Sequence, residues 1–323
     1  MRDALGRRVD SVRATVTLRC NMDCVYCHRE GEEPAGRELS WREWVRVLRA
    51  CADLGIRRVK LTGGEPTLRE DLPWIIEGVR DHFRDVSLVT NGSLLRCRAE
   101  ELREAGLDRV NVSLDTLDPR LYRRITRSGF SPRGVVRGIE AAVSAGLTPV
   151  KVNVVLFRET LAGLRELVEE VAGEDVRLQL IEPMAAPSAG AELRPATVEE
   201  ALEALSDLGP RLTRVRRFQN RRVYELENGV MLETVKPEDG VMCRACSRIR
   251  ITHNGMFKGC ILGSPRELPL DNYHHLLNTL RRYIRERDDT LGKNLRWQGV
   301  AVGRVGGRRD LQGSGGNRPK NDG

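Results

Sequence analysis

The sequence is poor in aromatic residues, which make up only 4% of its 323 positions. It has no apolar stretch that approaches the length of a membrane-spanning helix, and residues 1–19 contain no apolar core of a secretory signal. Scarce aromatic side chains argue against a protein that stacks nucleic-acid bases on a folded basic face. We therefore expect a cytoplasmic protein with neither a membrane nor a nucleic acid among its partners.

The positive charge of the chain is concentrated at its C-terminal end. Lysines and arginines outnumber aspartates and glutamates by 54 to 46, a net charge of +8. Residues 292–323 hold seven basic and two acidic side chains, so the rest of the chain is close to balanced. This distribution indicates a basic Gly/Arg-rich tail or a site for a small polyanion rather than a nucleic-acid surface.

Eight cysteines in a chain without export signals indicate metal or redox chemistry before disulfides. Cys51 lies on the apolar side of a predicted helix and Cys97 in a polar run, so we expect neither to be a ligand. The other six form two groups of three, which are Cys20, Cys24 and Cys27, and Cys243, Cys246 and Cys260.

The first group has the spacing C-x3-C-x2-C and directly follows an apolar-alternating run at residues 12–17. Three thiolates in one short loop can ligate three irons of a four-iron, four-sulphur cluster, which leaves the fourth iron open for chemistry. A zinc site or three buried cysteines is the alternative. Zinc is less favoured, because a structural zinc ion normally takes four protein ligands.

Short β-branched runs alternate with amphipathic helical patterns up to about residue 183. The clearest helix begins with a capping box formed by Ser40 and Glu43. Six βα units in succession predict a parallel sheet, either a barrel or an open sheet. The predicted strands are residues 12–17, 58–62, 86–90, 109–113, 149–156 and 176–181, and further helices are predicted at 72–82, 99–105, 133–145 and 161–171.

Polar motifs lie on or directly after all of these strands, at the edge where parallel barrels build their active sites. Two adjacent glycines allow the backbone to approach a ligand closely, and Glu65 can accept hydrogen bonds from an ammonium group. A tight turn before the next helix is the alternative for that motif. The motifs are the cysteine loop, Gly63-Gly64-Glu65-Pro66, Thr90-Asn91-Gly92, Ser113-Leu114-Asp115, Lys151 with Asn153, and Glu182-Pro183-Met184.

The remaining part of the chain has a different pattern. It predicts helices at 197–208 and 271–287, with short strands at 214–235 between them. The second cysteine group holds either a second cluster or a zinc ion, with His253 or His274 as the fourth zinc ligand. Arg248 and Arg250 project together if this piece is extended, which suits a phosphorylated ligand; a solvated basic edge is the alternative.

These motifs resemble the radical S-adenosylmethionine superfamily and, within it, the GTP 3′,8-cyclase (molybdenum cofactor biosynthesis protein A) family. The resemblance runs from about residue 6 to about residue 262 and keeps the family's order of motifs. It implies an α/β fold, an incomplete parallel (βα)6 TIM-like barrel with a C-terminal α+β domain that carries a second iron-sulphur cluster. The implied domains are residues 1–213 for the barrel, 214–291 for the auxiliary cluster and GTP, and 292–323 for the tail.

The resemblance also implies the reaction and its cofactors, two [4Fe-4S] clusters and S-adenosylmethionine. A 5′-deoxyadenosyl radical would take the ribose H3′ of GTP, and the product would be (8S)-3′,8-cyclo-7,8-dihydroguanosine 5′-triphosphate, an early intermediate of molybdopterin synthesis. No residue is assigned as a general acid or base, and Arg248 and Arg250 would position the substrate. Implied partners are GTP, a low-potential electron donor and the next enzyme of the pathway; a homodimer is also considered.

Residue roles follow by matching this sequence to the family's motifs. The family often has two threonines before Asn-Gly, whereas this chain has Val89 first, so Thr90 alone is left from that loop to contact GTP. The implied sets are Cys20, Cys24 and Cys27 for the first cluster; Cys243, Cys246 and Cys260 for the second; Tyr26, Gly63, Gly64, Glu65, Ser113 and Met184 for S-adenosylmethionine; and Arg13, Lys60, Thr90, Lys151, Arg248 and Arg250 for GTP.

Two other functions remain open at this point. One is a radical S-adenosylmethionine enzyme that modifies a peptide, although such families usually carry more auxiliary cysteines than three. The other is a zinc- or cluster-bearing regulator that binds nucleic acid through the basic tail, which would leave the six strand-end motifs unexplained.

Overall fold

The computed structural model describes residues 1–184, 193–216, 221–237 and 245–287. Two predicted features, Cys243 and the basic tail at 292–323, lie outside these described residues. None of the described helices is long and apolar enough to cross a membrane.

All six strands predicted in the first part of the chain are present, with ends that differ by at most one residue from the predicted ones. Among the residues described after them, five further strands follow. The strands are β1 Ser11–Thr17, β2 Arg58–Gly63, β3 Asp85–Thr90, β4 Arg109–Ser113, β5 Val150–Val155, β6 Val176–Ile181, β7 Arg211–Arg216, β8 Arg221–Glu225, β9 Met231–Val235, β10 Arg248–Ile251 and β11 Phe257–Lys258.

The strands form one sheet in the order β11-β10-β1-β2-β3-β4-β5-β6-β9-β8-β7. Strands β1 to β6 are parallel neighbours in chain order. The C-terminal part extends both edges, since β10 pairs in parallel with β1 and β9 pairs in parallel with β6. The parallel α/β fold is thus confirmed. Strands from both sides of residue 213 share this sheet, and the predicted domain bounds stay a prediction.

The helices largely follow the predicted pattern. The capping box of α1 is present, with Ser40 accepting from the Glu43 amide. Helix α4 was not predicted, although Asp118 caps it and Pro119 occupies its first turn, both ordinary start signals. The helices are α1 Trp41–Asp53, α2 Leu72–Val79, α3 Leu95–Glu104, α4 Pro119–Thr126, α5 Pro132–Ser144, α6 Arg158–Leu161, α7 Leu164–Val171, α8 Val198–Ala204 and α9 Tyr273–Arg285.

One face of the sheet is apolar and forms the core with the helices. Successive strand residues point to opposite faces, so every second position of a strand belongs to this face. Its side chains are almost fully buried, as are Trp44 and Leu48 of α1. The face consists of Val12, Ala14, Val16, Val59, Leu61, Val86, Leu88, Val110, Val112, Val150, Val152, Val154, Val176, Leu178 and Leu180.

The opposite face of the same sheet is polar, and we call it the polar face. The strand register places its members side by side, for example Arg13 beside Lys60 and Asn111 beside Lys151. A row of charged and polar side chains is not suited to an apolar core, so this face is suited to surround a polar ligand. Its members include Arg13, Thr15, Lys60, Thr62, Ser87, Asn111, Lys151, Asn153, Gln179, Arg221, Glu233, Arg248 and Arg250.

The polar face is concave. Lys151 on β5 is close enough to help lower the pKa of Lys60 on β2, three strands away in the sheet. Arg221 on β8 likewise contributes to the lowered pKa of Arg248 on β10, although these strands lie on opposite flanks. The curvature of the sheet therefore gathers cationic groups that are distant both in the sequence and in the strand order.

Candidate active site

The first cysteine motif forms a loop that begins three residues after β1 ends. The amide of Val25 donates to the Ile125 carbonyl (2.9 Å), and the amide of Asp23 donates to the Thr126 carbonyl (3.0 Å). The Asn91 side-chain amide reaches the Cys20 sulphur at 4.0 Å. Contacts with the end of α4 and the loop after β3 therefore hold this segment without help from the thiols.

The thiols of this loop suit a cluster better than a single metal ion. Cys20 and Cys27 are exposed and Cys24 is half-buried. Burial raises the pKa of Cys24, and Asp115, Cys27 and Cys20 raise it further, so the three thiols are close neighbours. No three Cys, His, Asp or Glu side chains within the described ranges converge on a single-ion site. A zinc ion needs ligands at about 2.3 Å from one point, whereas the thiolates of a cube bind separate irons.

The glycine pair at the end of β2, Gly63 and Gly64, is required by the cysteine loop itself. A Cβ atom on Gly63 would lie 2.0 Å from the Thr17 carbonyl oxygen, and one on Gly64 would lie 2.2 Å from the Arg19 carbonyl oxygen. The Gly64 amide donates to the Thr17 carbonyl at 2.8 Å, and the Glu65 amide donates to the Arg19 carbonyl at 2.8 Å. These glycines thus fix the start of the cysteine loop against β2, a reason the sequence did not reveal.

Glu65 is fully buried and joins the loops after β2 and β3. Its carboxylate accepts from the Asn91 amide (2.6 Å), the Thr90 hydroxyl (2.8 Å) and both the amide and the hydroxyl of Thr67. Burial raises its pKa, and these donors oppose that shift. The Thr90 hydroxyl also accepts from the Gly92 amide at 3.0 Å. Thr90, which was predicted to contact GTP, therefore uses its hydroxyl within the protein.

Tyr26 is positioned by the end of β4. Its hydroxyl donates to Asp115 at 2.8 Å, and the other oxygen of Asp115 accepts from the Val155 amide at 2.8 Å. Burial raises the pKa of Asp115 to about 6, with both hydrogen bonds acting against the shift. Ser113 is the last residue of β4, and Met184 follows the end of β6 and is half-buried. The residues predicted to bind S-adenosylmethionine thus all lie at or beyond the C-terminal ends of strands.

The residues predicted to hold GTP, apart from Thr90, lie on the polar face. The Lys60 ammonium donates to Asn111 at 2.8 Å. Desolvation, together with the charges of Arg109 and Arg13, lowers its pKa well below the usual value. Burial and the nearby Arg13 and Arg250 lower the pKa of Arg248 to about 9. Cations crowded in this way are stabilised by an anion, so the geometry suits a polyphosphate.

Two carboxylates on this face were missed by the sequence analysis. The Glu30 cluster consists of Glu30, Arg13, Arg250 and Thr62. The Glu30 carboxylate pairs with Arg13 and Arg250 at 2.5 Å each and accepts a hydrogen bond from the Thr62 hydroxyl at 3.0 Å. Burial alone would raise the pKa of Glu30, but the two guanidinium groups hold it well below its usual value. Glu30 lies in an acidic run, Glu30-Gly31-Glu32-Glu33, that gave no reason to single out one member.

The Glu233 cluster lies at the other flank of the sheet. Glu233 pairs with Lys151 at 2.6 Å, Arg216 at 2.7 Å and Arg221 at 3.0 Å, and Arg221 also donates to Gln179 at 2.6 Å. Burial opposes ionisation of Glu233, but Lys151 and Arg221 lower its pKa to about 2. The alternation Met231-Leu232-Glu233 was the only available signal, since it puts Glu233 on the face opposite the buried Leu232.

The described part of the second cysteine group flanks β10 and β11. Cys246 lies two residues before β10 and Cys260 two residues after β11. Burial alone would raise the pKa of Cys246, but Arg287 and Arg248 lower it overall. His253, one of the alternatives for a zinc ligand, has both ring nitrogens engaged, with Glu32 at 2.9 Å and the Ala35 carbonyl at 3.0 Å. The other alternative, His274, is exposed at the start of α9.

Comparisons with known proteins show which proteins this chain is similar to. Residues 15–171 match the Radical SAM superfamily. A protein of Methanopyrus kandleri is 59% identical over 309 residues, which cover 95% of this chain and 98% of that protein. A protein of Methanococcus aeolicus is 40% identical over 87% of this chain and 93% of its own length. Both are named "Probable GTP 3′,8-cyclase".

A solved structure gives the fold alone. Streptococcus suis SuiB bound to the precursor peptide SuiA superposes with a TM-score of 0.65 at 16% identity, covering 90% of this chain and 67% of SuiB. At such low identity the likeness extends to the radical SAM α/β fold and not to the substrate.

Proposed function

The chain belongs to the GTP 3′,8-cyclase family of radical S-adenosylmethionine enzymes, and from that membership we propose that it converts GTP to (8S)-3′,8-cyclo-7,8-dihydroguanosine 5′-triphosphate. This product is an early intermediate of molybdenum cofactor synthesis. The observation that carries the proposal is 59% identity over 95% of the chain. The peptide-modifying alternative has only a fold-level likeness behind it.

The family uses a [4Fe-4S] cluster and S-adenosylmethionine, and the three thiols of the first loop suit that cluster. When bound, the pair supplies a 5′-deoxyadenosyl radical, and the protein contributes orientation and exclusion of water. Tyr26, fixed by Asp115, and the Gly63-Gly64 turn shape the cofactor side of the site. Glu65, Ser113 and Met184 complete the proposed set for S-adenosylmethionine.

The substrate lies against the polar face. Its triphosphate carries several negative charges, which match the crowded cations of this face in sign and number. The lowered pKa values of Lys60 and Lys151 support this assignment, since an anion would relieve the cost of their crowding. The proposed ligands are Arg13, Lys60, Thr90, Lys151, Arg248 and Arg250; the Thr90 hydroxyl also donates to Glu65.

A second [4Fe-4S] cluster is bound by Cys243, Cys246 and Cys260. The engaged ring of His253 favours this over zinc, and the lowered pKa of Cys246 favours the thiolate form that ligates a metal. The barrel is the incomplete (βα)6 form, closed by the C-terminal domain at residues 214–291 that carries this cluster. The enzyme acts in the cytoplasm, receives electrons from a low-potential donor and passes its product to the next enzyme of the pathway; we retain a homodimer as one assembly.

Iron content and coupled turnover test the proposal. The chain is reconstituted anaerobically with iron and sulphide, and 5′-deoxyadenosine is measured with and without GTP in the wild type and in a Cys243/Cys246/Cys260→Ala variant. We expect about eight irons per chain to fall to about four, with loss of GTP-coupled turnover. Cys97→Ala is the matched control, since this exposed cysteine belongs to neither group.

Other results would contradict parts of the proposal. About four irons in both proteins, with zinc in the wild type alone, would make the second site structural. Arg248→Ala or Arg250→Ala is expected to lose most of the GTP affinity, with binding weak but still measurable, while uncoupled cleavage of S-adenosylmethionine survives. Equal loss of GTP binding and of uncoupled S-adenosylmethionine cleavage would contradict the assignment of these arginines to the substrate site.

A further inference from the structure

Glu30 connects two parts of the chain that are far apart in sequence. One carboxylate oxygen pairs with the Nη2 atom of Arg13 on β1, and the other pairs with the Nη1 atom of Arg250 on β10, each at 2.5 Å. The Thr62 hydroxyl adds a hydrogen bond at 3.0 Å, and Glu30 is only 6% exposed. A single carboxylate therefore sets the separation between two of the proposed GTP ligands.

The backbone around Glu30 is held in an unfavourable conformation. Arg29 and Glu30 have φ angles of 46° and 55°, and Gly31 follows at 69°. Left-handed φ values cost an ordinary residue about 1–2 kcal/mol each, so local preference does not produce this turn. Long-range contacts do: the Lys258 ammonium donates to the Gly31 carbonyl, and a Cβ atom on Gly31 would lie 2.4 Å from the Ile261 carbonyl oxygen.

Without Glu30, the arginines near it would repel one another. Arg250 acts to lower the pKa of Arg13, and both act to lower that of Arg248. Glu30 engages one nitrogen each of Arg13 and Arg250, whereas a guanidinium has five N–H donors. The Nε atom of Arg13 is buried and has no hydrogen-bond partner among the residues that the structure describes. Donors thus remain for a ligand while Glu30 stays in place.

We propose that Glu30 is a positioning residue for the substrate, whose carboxylate holds Arg13 and Arg250 at the spacing in which their remaining N–H groups bind GTP. The inference rests on the proposed function, since it takes GTP as the ligand. Glu30 lies three residues after Cys27, and its turn contacts Lys258 and Ile261, which lie on either side of Cys260. It therefore also fixes the arginines relative to both cysteine groups. Preorganised donors bind more tightly, because less conformational freedom is lost on binding.

The test compares Glu30→Gln, Glu30→Asp and Glu33→Gln in the anaerobically reconstituted full chain. Glutamine keeps the shape of Glu30 and removes its charge, aspartate keeps the charge on a shorter side chain, and Glu33 is an exposed carboxylate of the same loop. GTP affinity is measured by calorimetry, with S-adenosylmethionine binding and the melting temperature recorded for each protein. We expect Glu30→Gln to weaken GTP binding by about tenfold or more, with partial recovery in Glu30→Asp and no change in Glu33→Gln.

Positioning through Arg250 has a further signature. Once Arg250→Ala is present, Glu30→Gln should weaken GTP binding by clearly less than it does alone, because the two residues act as one unit. A purely structural role would instead lower the melting temperature of Glu30→Gln and leave the GTP affinity of the folded protein unchanged. S-adenosylmethionine binding should remain within about twofold of the wild type in every variant.

Each outcome decides between the two levels of the proposal. Failure of the wild type to bind GTP would overturn the proposed function, and this inference with it. Normal binding by the wild type with equal or tighter binding by Glu30→Gln would overturn the inference alone, since the carboxylate would then be idle or a competitor. If Glu30→Gln does not fold, Glu30→Asp provides the test. The inference is equally overturned if Glu30→Asp binds GTP as tightly as the wild type and if the Glu30→Asp/Arg250→Ala double variant binds it as tightly as Arg250→Ala alone.

Discussion

The Glu30 and Glu233 clusters solve the same problem at opposite flanks of one sheet. Each places a buried carboxylate among cations of the polar face, and each joins the first part of the chain to the C-terminal part. They differ in what carries the carboxylate. Glu233 is a residue of strand β9, whose pairing with β6 fixes it, whereas Glu30 lies in a left-handed turn directly after the cysteine loop.

This difference separates a structural anchor from a site organiser. A strand residue is positioned by the backbone ladder, so its loss is felt mainly as the loss of a buried counter-ion. A residue in a strained turn is positioned by its own contacts, so the turn and the side chains it touches depend on each other. The Glu233 cluster should therefore govern stability more strongly, and the Glu30 cluster should govern substrate binding more strongly.

The largest expected effect is the loss of stability in Glu233→Ala. This change leaves the largely buried Lys151 and Arg221 without their shared counter-ion, and the more exposed Arg216 loses it as well; breaking a buried pair in this way costs about 3–5 kcal/mol. The measurement is urea unfolding under anaerobic conditions. Glu225→Ala is the control, because the Arg211–Glu225 pair is largely exposed and should contribute at most about 1 kcal/mol. Equal losses of unfolding free energy in the two variants would contradict the view that Glu233 anchors the structure more strongly than the exposed Arg211–Glu225 pair does.

A smaller effect is expected from Gly31→Ala, which disturbs the turn and leaves Glu30 itself unchanged. Gly31 combines a positive φ with backbone contact to Ile261, so alanine should cost about 2 kcal/mol and weaken GTP binding. Gly55→Ala is matched, since Gly55 has φ +85° but open space around its missing Cβ, and should cost about 1 kcal/mol with normal GTP binding. Identical behaviour of the two variants would show that the turn does not need its contact with Ile261.

The smallest effect is a pH dependence from Lys151. Burial lowers its pKa to about 8, although Glu233 opposes the shift. As pH rises above 8 the ammonium loses its proton, so GTP affinity should fall by up to about tenfold per pH unit. Between pH 8 and about 10.4 the unfolded chain binds more protons than the folded one at this lysine, so Lys151 by itself makes the protein more stable as pH rises. Binding and stability should thus move in opposite directions.

The control for that experiment is Lys151→Met, because GTP and the protein groups distant from Lys151 titrate in the same way in both proteins. GTP affinity is measured from pH 7 to pH 9.5 in each. The wild type should lose more affinity than the variant over this range. Parallel profiles would mean that Lys151 does not bind the substrate in its charged form.

Much of the fold could be predicted from the sequence, because its signals are local. Alternating β-branched residues identified all six strands of the first part, and the Ser40 capping box identified the start of α1. The unpredicted helix α4 had such a signal too, in Asp118-Pro119. The pairing of β10 with β1 and of β9 with β6 had none, since strand order depends on contacts between residues more than fifty positions apart.

Within the candidate site, the cysteine spacing and the Arg248-Arg250 pair were readable because each lies within a few residues. Glu30 was not readable, since an acidic run looks like a solvated surface until Arg13 and Arg250 are seen around it. The packing role of Gly63 could not be read from the sequence for a similar reason. The sequence suggested a close approach to a ligand, and the structure adds a close approach to the Thr17 carbonyl.

The sequence by itself determined the family and the alternation of strands and helices, and it predicted the first set of cluster ligands, because spacing along the chain carries that information. The tertiary structure decided which charges meet. Sheet curvature brings Lys60 near Lys151 and Arg221 near Arg248, and two carboxylates from distant segments neutralise part of that charge. Electrostatic interactions depend on distance in space and on burial, and neither can be obtained from positions along a chain.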